Sequence, residues 1–191
     1  MVRKLFSCAV IFLSFLILSS AKMFGQVELF GGYSYLHESA SSTNANGWEA
    51  SLSAHLLGPL GAEMDFSNHY GISPASAFPN YVPEFTEMYG PRFTFLRLPR
   101  VHLYAHALFG TVHGVRDQTS ILPPQSQFGT PVTLVRQAAF GMAYGGGIDV
   151  QATRHVWIRL IQADYMRVQF SGNPQNDTRI SAGLVFRFGR W

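Results

Sequence analysis

The most constraining feature of this chain is an alternation of apolar and polar residues with a period of two, which recurs in one segment after another. In the segment 48–56, for example, Trp48 and Leu52 alternate with Glu49 and Ser51. Successive side chains of a β-strand point to opposite faces of a sheet, so this pattern predicts strands with one apolar and one polar face. Helical spacing has no comparable support in these segments. The chain is therefore predicted to be all-β.

Eight segments of this kind are separated by seven connections that are alternately long and short. The long connections are residues 38–46, 71–86, 114–138 and 171–177, and the short ones are residues 57–61, 97–100 and 152–154. If consecutive strands form hairpins, this order places every long loop at the same end of the sheet. Such asymmetry is typical of transmembrane β-barrels, whereas a β-sandwich with Greek-key crossovers would not produce it so regularly. The sequence predicts an eight-stranded antiparallel up-and-down transmembrane β-barrel.

The seventh segment, residues 155–170, is less regular than the others. Arg159 lies on one parity, whereas Gln162 and Asp164 lie on the other. A β-bulge near residues 160–161 would bring all three side chains to one face, and we favour this interpretation. The alternative is a strand with polar groups on both sides near the rim of the barrel.

A cleavable signal peptide is predicted to precede the barrel. Arg3 and Lys4 are followed by a long apolar run and then by small residues, which is the layout of a secretory signal. A transmembrane anchor would need about 20 apolar residues, which is more than this run contains. We expect a signal peptide over residues 1–21, with cleavage between residues 21 and 26, and a barrel domain over residues 27–191.

Composition narrows the possible functions. The net charge is only +3 and 13% of residues are charged, so the chain has no electrostatic footprint for nucleic acid. The single cysteine, Cys8, lies inside the predicted signal peptide. The mature chain is therefore expected to have no disulfide and no zinc–thiolate site.

The two faces of the predicted strands differ in chemistry. The apolar face is rich in aromatic rings and contains Trp48, Leu52, Leu56, Phe66, Phe93, Phe95, Phe109, Leu184, Phe186 and Phe188. The polar face contains Glu49, Glu63, Asp65, Arg92, His106, Asp149, Arg159, Arg179 and Arg187. Glycine and alanine also crowd the polar face, where the lumen of a small barrel has little room. We therefore expect the apolar face to contact lipid and the charges to face the lumen. The alternative is a soluble exported ligand-binding barrel of lipocalin type, with its apolar face inward.

Charges enclosed in a narrow lumen must be paired, because an unpaired buried charge costs several kcal/mol. Six charges are placed inside with nearly balanced signs: Glu63, Asp65, Arg92, Asp149, Arg159 and Arg179. Asp149 and Arg159 flank the short connection 152–154, so we expect them to meet across a hairpin.

The residues that could support catalysis or metal binding have weak spacing. His102 and His106 share a strand face but would lie about 13 Å apart, too far to bind one metal ion. Asp65, Ser67 and His69 share a face without a catalytic spacing. We predict no catalytic, cofactor-binding or metal-binding residues and no enzymatic activity. A membrane-embedded lipid hydrolase is the less favoured alternative.

The chain resembles the small eight-stranded outer-membrane barrels of the OmpA and OmpX kind. The likeness is carried by residues 27–35 (VELFGGYSY), 90–95 (GPRFTF), 105–110 (AHALFG), 145–150 (GGGIDV) and 161–165 (IQADY). The final segment also resembles the aromatic-ended strand by which such proteins are recognised for assembly, with Phe188 or Trp191 as the terminal aromatic residue. The resemblance implies a monomer in the bacterial outer membrane whose partners are outer-membrane lipid and the barrel-assembly machinery. We interpret the chain as having a structural, adhesive or surface-interaction role. Eight strands enclose little more than side chains, so we expect a filled lumen and no large pore. The partner of the long loops is left open.

Overall fold

The computed structural model describes residues 25–39, 43–72, 81–119, 132–170 and 173–189, so the predicted signal peptide lies outside the described residues. The strands are β1 Gln26–Glu38, β2 Thr43–Leu57, β3 Leu60–Ile72, β4 Tyr81–Leu98, β5 Val101–Thr119, β6 Val132–Gln151, β7 Val156–Phe170 and β8 Asn173–Gly189. Within these ranges, no helix has the length and apolar character needed to cross a membrane.

The eight strands form a closed barrel in chain order. Each strand pairs antiparallel with the next, and β8 returns to pair with β1. At this closure Val27 lies opposite Phe188, and Leu29 lies opposite Phe186. Closure supplies hydrogen-bond partners to the backbone of the first and last strands, which would otherwise be edges. The predicted fold class, an eight-stranded up-and-down barrel, is confirmed.

The strands extend further toward the long connections than the alternation predicts. β5 ends at Thr119 and β6 begins at Val132, so most of the predicted connection 114–138 is strand. Similarly, β8 begins at Asn173, which leaves two residues between β7 and β8. The predicted boundaries were wrong because polar and proline-containing sequences were assigned to loops. Pairing with a neighbouring strand overrides that composition, as at Pro83, which lies opposite Tyr70.

Strand β7 contains the predicted bulge. Ile148 lies opposite Ile161 and Asp149 lies opposite Arg159, so Leu160 is an extra residue on β7. Leu160 and Ile161 are both exposed on the outer surface. The bulge thereby brings three polar side chains to the inner face: Arg159, Gln162 and Asp164. The alternative placement of Arg159 on the opposite side from Gln162 and Asp164 is wrong, although Arg167 and Gln169, nearer the loop end of β7, are exposed on the outer side.

The faces of the barrel are oriented as predicted. All nine residues assigned to the polar face are buried in the interior. Of the ten assigned to the apolar face, Leu52 and Phe66 are half-buried and the other eight are exposed. The barrel therefore has a charged interior and an apolar exterior.

Inward-facing glycines make room for lumen side chains on β6. A Cβ atom at Gly147 would lie 2.7 Å from the Tyr104 hydroxyl oxygen, and one at Gly145 would collide with the Asp164 carboxylate. Because these contacts are far shorter than van der Waals separation, a side chain at either position would displace part of the lumen network.

Candidate functional site

The lumen contains a network of buried charges to which all eight strands contribute. Its members are Glu28, Glu49, Glu63, Asp65, Arg92, His106, Asp149, Arg159, Asp164, Arg179 and Arg187. Six carboxylates thus face four guanidinium groups and one imidazole. The six charges predicted from sequence are all present, but the predicted balance of three against three undercounted the acidic side.

One centre of this network forms around Asp149 on β6. Arg159 Nε donates to Asp149 Oδ1 at 2.9 Å across the β6–β7 hairpin, as predicted. Arg187 Nη2 and Arg92 Nη2 approach the other carboxylate oxygen of Asp149 at 3.1 and 3.4 Å. Both arginines also pair with Glu28, Arg187 at 2.8 Å and Arg92 at 3.0 Å. Five strands, β1, β4, β6, β7 and β8, are therefore joined across the lumen through the carboxylates of Asp149 and Glu28.

The second centre forms around Arg179 on β8. Its Nη2 lies 2.7 Å from Asp164 Oδ2 on β7, and its Nη1 lies 2.7 Å from Asp65 Oδ1 on β3. Glu49 Oε2 on β2 lies 3.4 Å from Nε. Since β3 and β8 are not neighbours in the barrel, the Arg179–Asp65 pair spans the interior rather than joining adjacent strands.

His106 links the two halves of the network. Its Nδ1 lies 3.0 Å from Glu63 Oε2, and its Nε2 lies 2.8 Å from Asp164 Oδ1. Two carboxylate oxygens at the two ring nitrogens suit the imidazolium form, in which both nitrogens are donors. His102, by contrast, contacts Arg187 and packs against Trp157 with ring centroids 4.5 Å apart. The two histidines thus have separate partners, and no cluster suited to a metal ion is found in the described part of the chain.

Aromatic rings inside the barrel stack on the arginines. The Arg92 guanidinium lies 3.6 Å from the centre of the Tyr104 ring, and Arg187 lies 3.7 Å from Trp157. Arg159 lies 4.1 Å from the ring of Phe30. Such stacking offsets part of the cost of burying a guanidinium, because the face of the ring attracts the cation.

Sequence reasoning missed the role of these aromatic residues. Phe30 interrupts the polar parity of β1, where Glu28 and Ser34 lie. The structure shows that it is buried and stacked on a lumen arginine. Its position as an aromatic residue on the charged face could have predicted that it stacks on an arginine.

Toward the loop end the interior becomes partly apolar. A buried cluster there contains Leu36, Ala45, Met88, Leu108, Val112, Ala139, Ala143, Met166 and Val168. These side chains follow the same inward parity as the charges but lie nearer the long-connection ends of their strands. The lumen is therefore filled by ionic contacts in one part and by apolar packing in another.

The residues considered for a hydrolase do not form a catalytic arrangement. Asp65, Ser67 and His69 are all buried in the lumen, as their parity predicted. Ser67 Oγ lies 2.6 Å from the Thr86 hydroxyl and accepts from Arg179 Nη1 at 3.1 Å. His69 Nε2 lies 2.8 Å from Ser34 Oγ. The serine thus contacts structural partners and has no access to lipid from this position.

The outer surface carries an apolar band, and aromatic side chains lie along its border nearer the long connections. Near the short turns the exposed residues are leucine and phenylalanine, such as Leu60, Phe95 and Phe188. Exposed tyrosine and tryptophan side chains, together with Phe109, lie seven to ten residues from the short-turn ends of their strands: Tyr33, Trp48, Tyr70, Tyr89, Tyr144 and Tyr165. Amphipathic rings prefer membrane–water interfaces, and a spanning strand needs about 9–11 residues. The spacing of seven to ten residues overlaps the lower end of that range.

Comparison with known proteins identifies the fold. No protein-family model matches the chain, and no curated protein sequence matches it. Among solved structures, Neisserial surface protein A matches with a TM-score of 0.61 and 14% identity, over 85% of this chain and 96% of that chain. Ail, the attachment invasion locus protein of Yersinia pestis, matches with a TM-score of 0.56 and 20% identity, over 87% and 100%. The outer membrane protein OprG from Pseudomonas aeruginosa gives 0.56 and 10%, over 87% and 97%. This chain has the fold of the small eight-stranded outer-membrane β-barrels.

Proposed function

We propose that this protein is an integral barrel of the bacterial outer membrane with a structural, adhesive or surface-interaction role. The observation that carries the proposal is the distribution of side chains in a closed sheet. Large apolar residues cover the exterior, where water would penalise them, and charges fill the interior. Lipid around the barrel removes that penalty, since it solvates the apolar band and the closed sheet satisfies the backbone internally.

The same observation argues against the lipocalin-type alternative. A soluble barrel that binds an apolar ligand needs an apolar cavity and a polar exterior. Here the interior contains cross-barrel ion pairs such as Arg179–Asp65, while Phe93 and Phe95 are about half exposed. A hydrolase role is also disfavoured, because Ser67 is enclosed in the lumen. We infer that the protein is not an enzyme.

The filled lumen supports a role without bulk transport. Arg92, Arg159 and Arg179 are among the largest fully buried side chains, and each contacts carboxylates from another strand. Opening a path for solutes would require several of these buried pairs to separate together. We propose that surface interactions instead involve the connections at the end opposite the short turns, as a name such as attachment invasion locus implies for Ail.

Membrane fractionation combined with gel mobility tests this proposal. The protein should require detergent for extraction, and its unheated form should migrate differently from its boiled form because the closed barrel resists unfolding. Full solubility without detergent would contradict membrane insertion. In planar bilayers, the refolded protein should give no large stepwise conductance, and porin-sized steps would contradict the filled lumen.

The surface role has its own test. Replacing residues 120–131, which connect β5 and β6, with a glycine–serine linker should reduce adhesion of expressing cells to host-cell monolayers while the heat-dependent gel shift is kept. A matched replacement within the short turn at residues 152–155 should leave adhesion unchanged. If cells with either replacement and cells lacking the protein all adhere equally, the adhesive role would be contradicted. Only the structural role would then remain.

A further inference from the structure

The short-turn end of the barrel has a one-sided positive charge. The β4–β5 turn contains Arg100 and the β6–β7 turn contains Arg154, and both side chains are exposed. None of the three short turns, residues 58–59, 99–100 and 152–155, contains an acidic residue. Neither arginine forms an ion pair in the ranges that the structure describes. The nearby acids Glu28 and Asp149 are buried and already paired with lumen arginines.

The two turns form one surface rather than two separate sites. The Arg100 carbonyl accepts a hydrogen bond from Gln151 N at 2.9 Å, and Gln151 directly precedes the turn that contains Arg154. The remaining short turn, between β2 and β3, contains only glycine and proline, and the positive charge that contacts it is that of Arg97 on β4, which donates to the Gly58 carbonyl at 2.6 Å. The positive patch defined by Arg100 and Arg154 therefore lies on one side of the barrel end.

Apolar side chains set the depth of this patch. Leu98, on the strand before the first turn, is 49% exposed, and Ile158, on the strand after the second turn, is 40% exposed. Arg100 lies in the two-residue turn that directly follows Leu98, so it is displaced beyond Leu98 by less than the roughly 7 Å that two extended residues would span. The headgroup layer extends about 5–8 Å beyond the hydrocarbon core on each side. With Leu98 at the edge of the hydrocarbon, Arg100 therefore lies at headgroup depth.

We propose that the patch of Arg100 and Arg154 binds the phosphate groups of anionic phospholipids in the leaflet on the short-turn side. Turns of two to four residues are too short to project past the headgroups toward a soluble polymer, whereas a guanidinium at this depth meets lipid phosphate directly. The contact fixes the vertical position and tilt of the barrel on its β4–β7 side. This inference rests on the membrane insertion proposed above.

The test uses the mature chain refolded into nanodiscs of phosphatidylcholine, alone or mixed with phosphatidylglycerol, and measures the midpoint of the heat-dependent gel shift. For the unmodified protein, the anionic lipid should raise the midpoint by about 4–8 °C, and added salt should reduce this rise. Arg100→Gln combined with Arg154→Gln should lose at least half of the rise, with an unchanged midpoint in phosphatidylcholine alone. Arg100→Lys combined with Arg154→Lys should keep most of it, because the charge is retained.

The outcomes separate this inference from the proposed function. A protein that never gains a heat-dependent shift in any nanodisc would contradict membrane insertion itself. A protein that inserts normally but has the same midpoint in both lipid mixtures would overturn the lipid-binding patch alone. A rise that is equally large in the glutamine variant would also overturn it, because the charge would then act elsewhere.

Discussion

The Asp149–Arg159 pair allows the lumen network to be tested quantitatively. Both side chains are fully buried, and removing one partner of a buried pair costs about 3–5 kcal/mol because the other charge is left behind. Asp149→Ala should lie at the upper end of this range, since Asp149 also faces Arg92 and Arg187. Arg159→Ala should lie at the lower end, because Asp149 keeps those two arginines. The double variant should lose about 1–3 kcal/mol less than the sum.

Reversible urea unfolding in lipid vesicles, followed by tryptophan fluorescence, gives these free energies of unfolding. Ser67→Ala combined with Asp149→Ala is a matched control, because Ser67 contacts Thr86 and Arg179 and shares no partner with Asp149. That pair should be additive to within about 0.5 kcal/mol. Additive losses for Asp149 and Arg159 would refute the pairing and would mean that lumen water solvates each charge separately.

Three further variants test the exterior, the closure and the lumen packing. Leu184→Arg, on the exposed face near the middle of the spanning region, should destabilise the barrel in vesicles by about 2–4 kcal/mol, and a harmless effect there would contradict its contact with lipid. Truncation after Val185 removes the part of β8 that pairs with the start of β1, so cells should accumulate unassembled protein rather than display it. Gly147→Ala should cost about 1–3 kcal/mol because its Cβ meets the Tyr104 hydroxyl, whereas Gly31→Ala, which has open space, should be nearly neutral in the same urea titration.

Much of this fold could be predicted from the sequence because period-two alternation reports strand faces directly. The bulge at Leu160 was also predictable, since only an extra residue brings Arg159 and Asp164 to the same side. Strand ends were less predictable. Asn173 begins β8 despite its loop-like sequence context, because pairing with Phe170 decides its conformation.

The partners within the lumen could be predicted only across neighbouring strands. The register of the β6–β7 hairpin implied the Asp149–Arg159 pair, whereas Arg179 and Asp65 come from strands that are distant in the sheet. Such cross-barrel contacts depend on side-chain length and on the diameter of the barrel. The alternation of apolar and polar residues predicts which face a side chain occupies, but not how far it reaches across the lumen. The position of His106 between Glu63 and Asp164 was missed for the same reason.

The central claim is that this barrel has an apolar exterior and a charged, filled interior. The most direct test uses two tryptophans, one on each face. Trp48 is 43% exposed on the outer face, whereas Trp157 is 6% exposed and stacked on Arg187 inside the barrel. Single-tryptophan variants, each with the other tryptophans changed to phenylalanine, can be refolded into vesicles that contain lipids brominated on their acyl chains. We expect strong fluorescence quenching for the Trp48 variant and little for the Trp157 variant. Stronger quenching of Trp157 than of Trp48 would contradict the inside-out arrangement of this barrel.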